Sequence, residues 1–184
     1  MKIHLFQQCL IDMFYPHVGM AGVKVLENLG CELTVPKKQV CCGQMFVNSG
    51  YNDAAKGAIK NTIEQFENAD YVVSMSGSCA FAIRDEYHHI LGIDNAKVRP
   101  HIHMVTPFLY QLFKEGKTLP LKPLKLRVAY HTACHVDKAG WAPYTLEVLK
   151  QIPGLEVVML PSQCCGIAGT YGFKEENYEV SQSI

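Results

Sequence analysis

Two adjacent cysteines followed by glycine occur twice in this sequence, and the repeat limits what the chain can fold into. A lone cysteine lies upstream of each pair. The six cysteines are Cys9, Cys41 and Cys42 in the first copy and Cys134, Cys164 and Cys165 in the second. The copies are offset by 123 residues for the pairs and by 125 for the lone cysteines. Self-similarity at a nearly fixed offset indicates that one structural unit occurs twice.

The residues around the cysteines repeat as well, and they alternate between strand and helix patterns. A short apolar run precedes each lone cysteine, at residues 3–6 and 126–130. A helical stretch follows and ends at Gly30 or Gly154, where glycine suits the left-handed conformation common at helix ends. A second apolar strand then leads to the cysteine pair. This alternation predicts an α/β fold class with short parallel sheets.

The first copy continues further than the second. We predict a helix at about residues 53–68, a buried strand at 71–75, and a fourth cysteine, Cys79, after that strand. The offset between copies places the counterpart of Cys79 near position 202, so the second copy is predicted to be incomplete. The predicted domains are residues 1–100 for the first copy, 101–125 for a helix and linker, and 126–184 for the second copy.

The segment between the copies is predicted to be structural. Thr106 is expected to cap a helix with Pro107 at its first position. An apolar stripe on this helix is expected to belong to the core; its residues are Phe108, Leu109, Leu112 and Phe113. The proline- and lysine-rich residues 117–125 then form a linker.

Composition excludes several classes of function. The 17 basic and 17 acidic residues give a formal net charge of zero, whereas nucleic-acid binding normally needs a basic face. No apolar run reaches the roughly 18 residues of a membrane span, and the first residues lack a signal peptide. We therefore expect a cytoplasmic protein with no nucleic-acid partner. Eight cysteines in a reducing compartment indicate metal or redox chemistry rather than structural disulfides.

The positions of the cysteines favour an inorganic cluster. Thiolates suit iron–sulfur clusters and zinc, and ligands gather at the carboxyl ends of parallel strands, which Cys9 and Cys79 follow. In a turn before Gly43, both Cys41 and Cys42 can face one site. Zinc sites usually leave about two to four residues between cysteines, so a multi-iron cluster is favoured over zinc. Buried, inert thiols are the remaining alternative.

Other residues near the motifs have less specific interpretations. Cys31 is predicted to pack in the core, because its counterpart in the second copy is Leu155. His131 and His135 flank Cys134, where each is either a ligand or a hydrogen-bonding neighbour of one. Residues 84–86 are expected to form a solvated helix start. No phosphate-binding loop, serine-hydrolase elbow or zinc-protease motif is present.

The complete pattern resembles the cysteine-rich CCG domain family. This family includes a subunit of heterodisulfide reductase, lactate-utilisation protein A and a subunit of anaerobic glycerol-3-phosphate dehydrogenase. The resemblance rests on QVCCGQ at residues 39–44, NSGY at 48–51, LPLKPL at 119–124 and SQCCGIAGTYGFK at 162–174. The first two stretches are most similar to the lactate protein, and the last two to the glycerol-3-phosphate dehydrogenase subunit.

The resemblance implies two tandem Rossmann-like CCG repeats, the second truncated, each holding a 4Fe–4S type of cluster in cubane or non-cubane form. The implied ligands are Cys9, Cys41, Cys42 and Cys79 for the first cluster, and Cys134, Cys164 and Cys165 for part of a second. It also implies an electron-transfer subunit, without catalytic residues, of an oxidoreductase in anaerobic respiration. A flavoprotein dehydrogenase is the implied partner, and quinone at the inner face of the membrane the implied acceptor.

The chain also departs from the family pattern. Ser76 stands where some members have the first cysteine of C-x-x-C, and the corresponding motif of the second copy is missing. The ferredoxin-type cysteine runs of the full dehydrogenase subunit are absent as well. Two alternatives stay open: a disulfide reductase subunit of the heterodisulfide type, and a zinc-stabilised docking module.

Overall fold

Four short strands form the larger of two sheets in the computed structural model, which describes residues 1–184. The strands are β1 (Lys2–Phe6), β2 (Glu32–Thr34), β3 (Val72–Ser74) and β4 (Ile102–Met104). Their order is β2-β1-β3-β4, and each neighbouring pair is parallel. Because parallel neighbours need crossover connections, helices separate the strands along the chain.

Seven helices belong to this part of the chain. They are α1 (Cys9–Phe14), α2 (Pro16–Asn28), α3 (Gln44–Asn48), α4 (Asn52–Phe66), α5 (Gly77–Phe81), α6 (Tyr87–His89) and α7 (Val105–Lys114). A π-helical turn, Ala82–Glu86, joins α5 to α6. Pro16 is the first residue of α2, where its missing N–H leaves no helical hydrogen bond unmade.

The second sheet has two parallel strands, β5 (Arg127–Tyr130) and β6 (Glu156–Met159). The helices of this half are α8 (Cys134–Lys138), α9 (Ala142–Leu149) and α10 (Tyr178–Gln182). Two short 3₁₀ turns, Tyr171–Phe173 and Glu175–Asn177, precede α10. The strand–helix–helix–strand order of β5 to β6 repeats that of β1 to β2, which confirms the predicted α/β class with parallel sheets. Where the units divide along the chain stays a prediction.

The larger hydrophobic core joins the two halves. It contains 16 buried residues, including Phe6 on β1 and the α4 residues Ile59 and Phe66. Val136 on α8 and Trp141 just before α9 belong to the same core, and each is no more than 6% exposed. The second half therefore packs directly on the first.

A smaller core of eight buried residues lies under α2 and α7. Leu26 on α2 is fully buried in it, and Cys31 is 8% exposed there. Three residues of the predicted stripe on α7, Phe108, Leu109 and Leu112, complete this layer. The prediction that Cys31 and the α7 stripe are core positions is confirmed.

Both glycines predicted at helix ends have the left-handed conformation. Gly30 and Gly154 each have a φ of +80°. Each follows a helix and precedes the second strand of its half. A residue with a Cβ is disfavoured at this angle, so the glycines allow the chain to turn from helix to strand.

The start of α7 differs from the prediction. The helix begins at Val105, directly after β4, and Pro107 is its third residue rather than its first. Thr106 lies inside the helix, where its hydroxyl shares a 2.6 Å hydrogen bond with Thr145 on α9. This hydrogen bond occupies the hydroxyl that the sequence predicts as the cap of α7. The local sequence does not reveal it, because Thr145 lies in a distant helix.

Residues 117–125 contain no helix or strand, as predicted for a linker, and all of them except Leu119 are exposed. None of the ten helices combines the length and the apolarity that a membrane crossing requires.

Truncating a side chain in the smaller core is expected to destabilise the fold. Leu26→Ala should lower the free energy of unfolding by about 2–5 kcal/mol, because it removes buried contacts and leaves a cavity. Leu124→Ala, in the linker where the side chain is 43% exposed, should change it by less than about 0.5 kcal/mol. Urea unfolding of both variants measures this difference, and equal effects would contradict the described core.

Candidate metal centre

Three neighbouring strands bring four cysteines, which we call the first set, to one edge of the larger sheet. Cys9 begins α1 just after β1, Cys79 lies in α5 after β3, and Cys41 and Cys42 occupy the loop after β2. Because β1 lies between β2 and β3 and all three are parallel, their carboxyl ends meet at the same edge. The predicted gathering of cysteines at strand ends is confirmed.

The Cys-Cys-Gly segments form the same turn in both halves. Gly43 has a φ of +86° and donates its N–H to Cys41 Sγ at 3.5 Å. Gly166 has a φ of +75° and donates its N–H to Cys164 Sγ at 3.4 Å. The left-handed glycine folds the backbone back so that its N–H faces the first sulfur of the pair. The prediction of a turn that depends on glycine is confirmed.

Two side chains that the sequence did not single out hold the Cys41–Cys42 loop in place. Gln39 accepts a hydrogen bond from the N–H of Gln7 at 2.8 Å and donates to the carbonyl of Leu5 at 3.2 Å. The buried Tyr87 donates its hydroxyl to the carbonyl of Cys42 at 2.6 Å. The loop is thereby tied to the end of β1 on one side and to α6 on the other.

The cysteines of the first set lie near one another. Cys9 Sγ lies 3.8 Å from Cys41 Sγ. Cys42 lies close enough to Cys41 and Cys79 for these thiols to shift the pKa of one another. Cys42 and Cys79 are 3% and 9% exposed, whereas Cys9 and Cys41 are half-buried. Cys42 and Cys79 are thus shielded from solvent, whereas solvent reaches Cys9 and Cys41.

The hydrogen bonds between sulfurs divide the first set into two kinds of thiol. Hydrogen bonds from Cys42 and Cys9 lower the pKa of Cys41 to about 3. A hydrogen bond from Cys42 likewise lowers the pKa of Cys79, helped by the Ser76 hydroxyl. Hydrogen bonding to these sulfurs, together with burial, raises the pKa of Cys9 and Cys42. The pKa of Cys41 and that of Cys79 are thus lowered and those of Cys9 and Cys42 raised, and thiolate is the form of cysteine that binds metals.

Ser76 caps the helix that carries Cys79. Its hydroxyl accepts a hydrogen bond from the N–H of Cys79 at 3.4 Å, at the start of α5. Ser74, on the adjacent strand end, accepts from the N–H of Ser76 at 3.2 Å. Ser76 therefore orients the backbone of Cys79.

The remaining three motif cysteines, Cys134, Cys164 and Cys165, form a second set that differs from the first in burial. All three are exposed. Desolvation raises the pKa of Cys134, and the charges of Cys164 and Cys165 raise it further, so the three sulfurs lie within electrostatic range of each other. His131 Nε2 lies 2.9 Å from the carbonyl oxygen of Gln163, beside the cysteine pair. The fold brings the three together at the surface.

The expectation that residues 84–86 are a solvated helix start is wrong. Arg84 lies 4.4 Å from the centre of the Trp141 ring, and Asp85 pairs with both Arg84 and Arg99. The Glu86 side chain is only 12% exposed. Residues 84–86 belong to a π-helical turn, and the second half of the chain packs over this turn. Residues that look like an exposed charge run in the sequence are therefore partly covered.

The donor set of the first four cysteines fits an iron–sulfur cluster. Clusters of this type are held by about four cysteine thiolates, and Cys9, Cys41, Cys42 and Cys79 supply that number at one edge of the larger sheet. No group of three His, Cys, Asp or Glu side chains is arranged around a point where a single metal ion could bind. The assignment of individual cysteines as ligands stays a prediction.

Sequence comparisons relate the chain to a known domain family. Residues 3–84 and 128–184 match the cysteine-rich domain called CCG. The chain is 45% identical over 188 residues to a subunit of the anaerobic glycerol-3-phosphate dehydrogenase of Escherichia coli, covering 100% of this chain and 48% of that protein. It is 42% identical over 186 residues to lactate utilization protein A of Geobacillus thermodenitrificans, covering 95% of this chain and 75% of that protein.

The fold and the site together define an α/β protein with parallel sheets that gathers cysteines at strand ends. The chain belongs to the cysteine-rich CCG domain family, whose match covers most of both halves. It spans about half the length of the glycerol-3-phosphate dehydrogenase subunits it matches.

The Cys-Cys-Gly turn should not tolerate a side chain at its glycine. Gly43→Ala is expected to lower the free energy of unfolding by about 1–2 kcal/mol, because alanine is strained at a left-handed φ. Its Cβ would also lie 3.2 Å from Ile59 Cγ1. Urea unfolding measures the change.

Gly57→Ala is the matched control. Gly57 is exposed within α4 with open space around it, so alanine there should stabilise the protein by roughly 0.5–1 kcal/mol. The same sign for both substitutions would contradict the left-handed turn at Gly43.

Proposed function

We propose that this chain is an iron–sulfur electron-transfer subunit of a flavin-linked dehydrogenase complex. The observation that carries the proposal is the gathering of four thiols at one sheet edge, where Cys9 Sγ lies 3.8 Å from Cys41 Sγ. In this proposal Cys9, Cys41, Cys42 and Cys79 hold one 4Fe–4S cluster. The cluster, when bound, accepts and donates single electrons.

The surrounding residues have defined tasks in this proposal. Gln39 and Tyr87 hold the loop that carries the adjacent cysteines, and Ser76 orients Cys79. The N–H of Gly43 donates toward the Cys41 sulfur, and such hydrogen bonds to cysteine sulfur are among the factors that set cluster potentials. The chain therefore positions and tunes the electron carrier, and it carries no catalytic residue.

The similarity to named proteins supports the type of complex. The relatives include an anaerobic glycerol-3-phosphate dehydrogenase subunit and lactate utilization proteins. Substrates of both kinds are oxidised at a carbon bearing a hydroxyl group. We therefore propose a flavoprotein dehydrogenase as electron donor and a quinone as the acceptor further along the path.

A second cluster is proposed at the exposed set. Cys134, Cys164 and Cys165 would supply three of its ligands, with the same glycine-dependent turn as in the first set. Exposure of all three cysteines predicts that this second cluster is more labile than the first.

Metal analysis tests the cofactor. After anaerobic purification and reconstitution, the protein should contain iron and sulfide and give the electron paramagnetic resonance signal of a cluster. Cys42→Ser should remove about four iron atoms per chain, because a buried ligand of the first set is lost. Cys31→Ala is the control and should keep its iron, since Cys31 packs in the smaller core. Zinc without iron in the wild-type protein would contradict the proposal.

Electron transfer needs a separate experiment. The reconstituted protein should copurify with a flavoprotein dehydrogenase encoded in its own organism, and the substrate of that enzyme should reduce the cluster. We expect reduction to be lost in Cys42→Ser and retained in Cys31→Ala. If the cluster is instead reduced by a thiol pair and by no dehydrogenase, the chain is a disulfide reductase subunit and the proposal fails.

A further inference from the structure

We propose that His135 couples the two cysteine sets, so that cluster binding at the first set stiffens the helix that carries Cys134. This inference rests on the proposed function, because it concerns how a cluster in one half is sensed in the other. The coupling runs through hydrogen bonds and packing in the interface between the halves.

His135 contacts three polar side chains of the first half. Its Nε2 lies 3.2 Å from Glu86 Oε1, and its Nδ1 lies 3.2 Å from Ser78 Oγ. Gln44 Nε2 lies 3.3 Å from His135 Nε2 and donates to Glu86 Oε2 at 3.2 Å. His135 and Glu86 have side-chain exposures of only 15% and 12%. The imidazole is therefore enclosed in a polar network rather than surrounded by solvent.

Each end of this network adjoins a cysteine. Gln44 follows the first Cys-Cys-Gly turn as the first residue of α3, and Ser78 directly precedes Cys79. On the other side, His135 directly follows Cys134, and its Nδ1 lies 3.9 Å from that sulfur. One imidazole thus connects backbone segments from both cysteine sets.

The packing around the network leaves little room for the halves to move independently. A Cβ at Gly77 would lie 2.5 Å from Val136 Cγ2, so α5 and α8 approach at a position that only glycine fits. The Phe81 ring lies 5.1 Å from the His135 ring, and Arg84 lies against Trp141. Close packing of this kind transmits small displacements rather than absorbing them.

The π-helical turn explains how Glu86 reaches the network. The turn at Ala82–Glu86 changes the helical register between α5 and α6. Such turns are frequent at functional sites, where they redirect a side chain. Glu86 faces inward as a result, toward Gln44 and His135.

The direction of the effect follows from these contacts. A cluster bound at the first set fixes the segments of Cys42 and Cys79, and with them the neighbouring partners Gln44 and Ser78. His135 is then held more firmly, and the opening of α8 becomes less favourable. The second set is consequently better ordered once the first is filled.

Amide hydrogen exchange of α8, residues 134–138, tests the coupling. A Cys164→Ser, Cys165→Ser background prevents direct cluster binding at the second set, and iron and sulfide reconstitution then loads the first set alone. Loading should slow exchange in α8 at least about fivefold, the lower end of typical coupling between sites. With His135→Ala added, the loaded and unloaded proteins should exchange equally in α8.

Two further variants distinguish coupling from general damage. His135→Gln keeps a side-chain donor toward Glu86 and should retain part of the slowing, whereas the exposed His88→Ala should retain all of it. A purely structural role would change exchange in loaded and unloaded protein alike and leave their ratio unchanged.

The outcomes separate this inference from the proposed function. Two results would overturn the coupling and leave the proposed function standing, provided that the first set takes up iron. In one, loading slows exchange in α8 as much in His135→Ala as in the parent background. In the other, loading does not slow exchange in the parent background at all. Failure of the first set to take up iron, measured by metal analysis, overturns the proposed function and the coupling with it.

Discussion

The parallel pairing of β1 with β2 on one side and β3 on the other is the constraint on which the rest of the structure depends. It directs three chain segments out of the same sheet edge, and the four cysteines of the first set lie on those segments. With antiparallel neighbours the same residues would leave at opposite edges. Backbone pairing thus delivers the sulfurs to one place, and the turn at Gly43 aims the adjacent pair.

The two halves use one local design in different surroundings. Both have a cysteine at a helix start after a parallel strand, and both have a glycine N–H directed at the first sulfur of the pair. In the first set, Cys42 and Cys79 are buried among residues of α4, α6 and the second half, and Cys9 and Cys41 are half-buried, whereas all three cysteines of the second set are exposed. If both sets hold clusters, as proposed, the difference in solvent exposure would give the two clusters different reduction potentials.

Much of the fold and part of the site could be predicted from the sequence. Alternating apolar patterns identified the strands and helices, and the repeat identified corresponding positions such as Cys31 and Leu155. The capping expectation for Thr106 was wrong, because its hydroxyl bonds to Thr145, 39 residues away. A charge run usually faces water, so the sequence predicts an exposed Glu86, yet its partner His135 lies 49 residues further along the chain. Contacts between residues so far apart in the sequence leave no local periodic pattern from which they could be predicted.

The sequence by itself determined the repeat, the parallel α/β class, the left-handed glycines and the identity of the seven motif cysteines. These properties follow from hydrophobic periodicity and from backbone sterics, which act over a few residues. Only the tertiary structure decided which cysteine set is the more buried, which thiols lie close together, and that His135 joins the two halves. Those properties depend on how side chains from distant segments pack together, and these side chains come into contact only when the chain is folded.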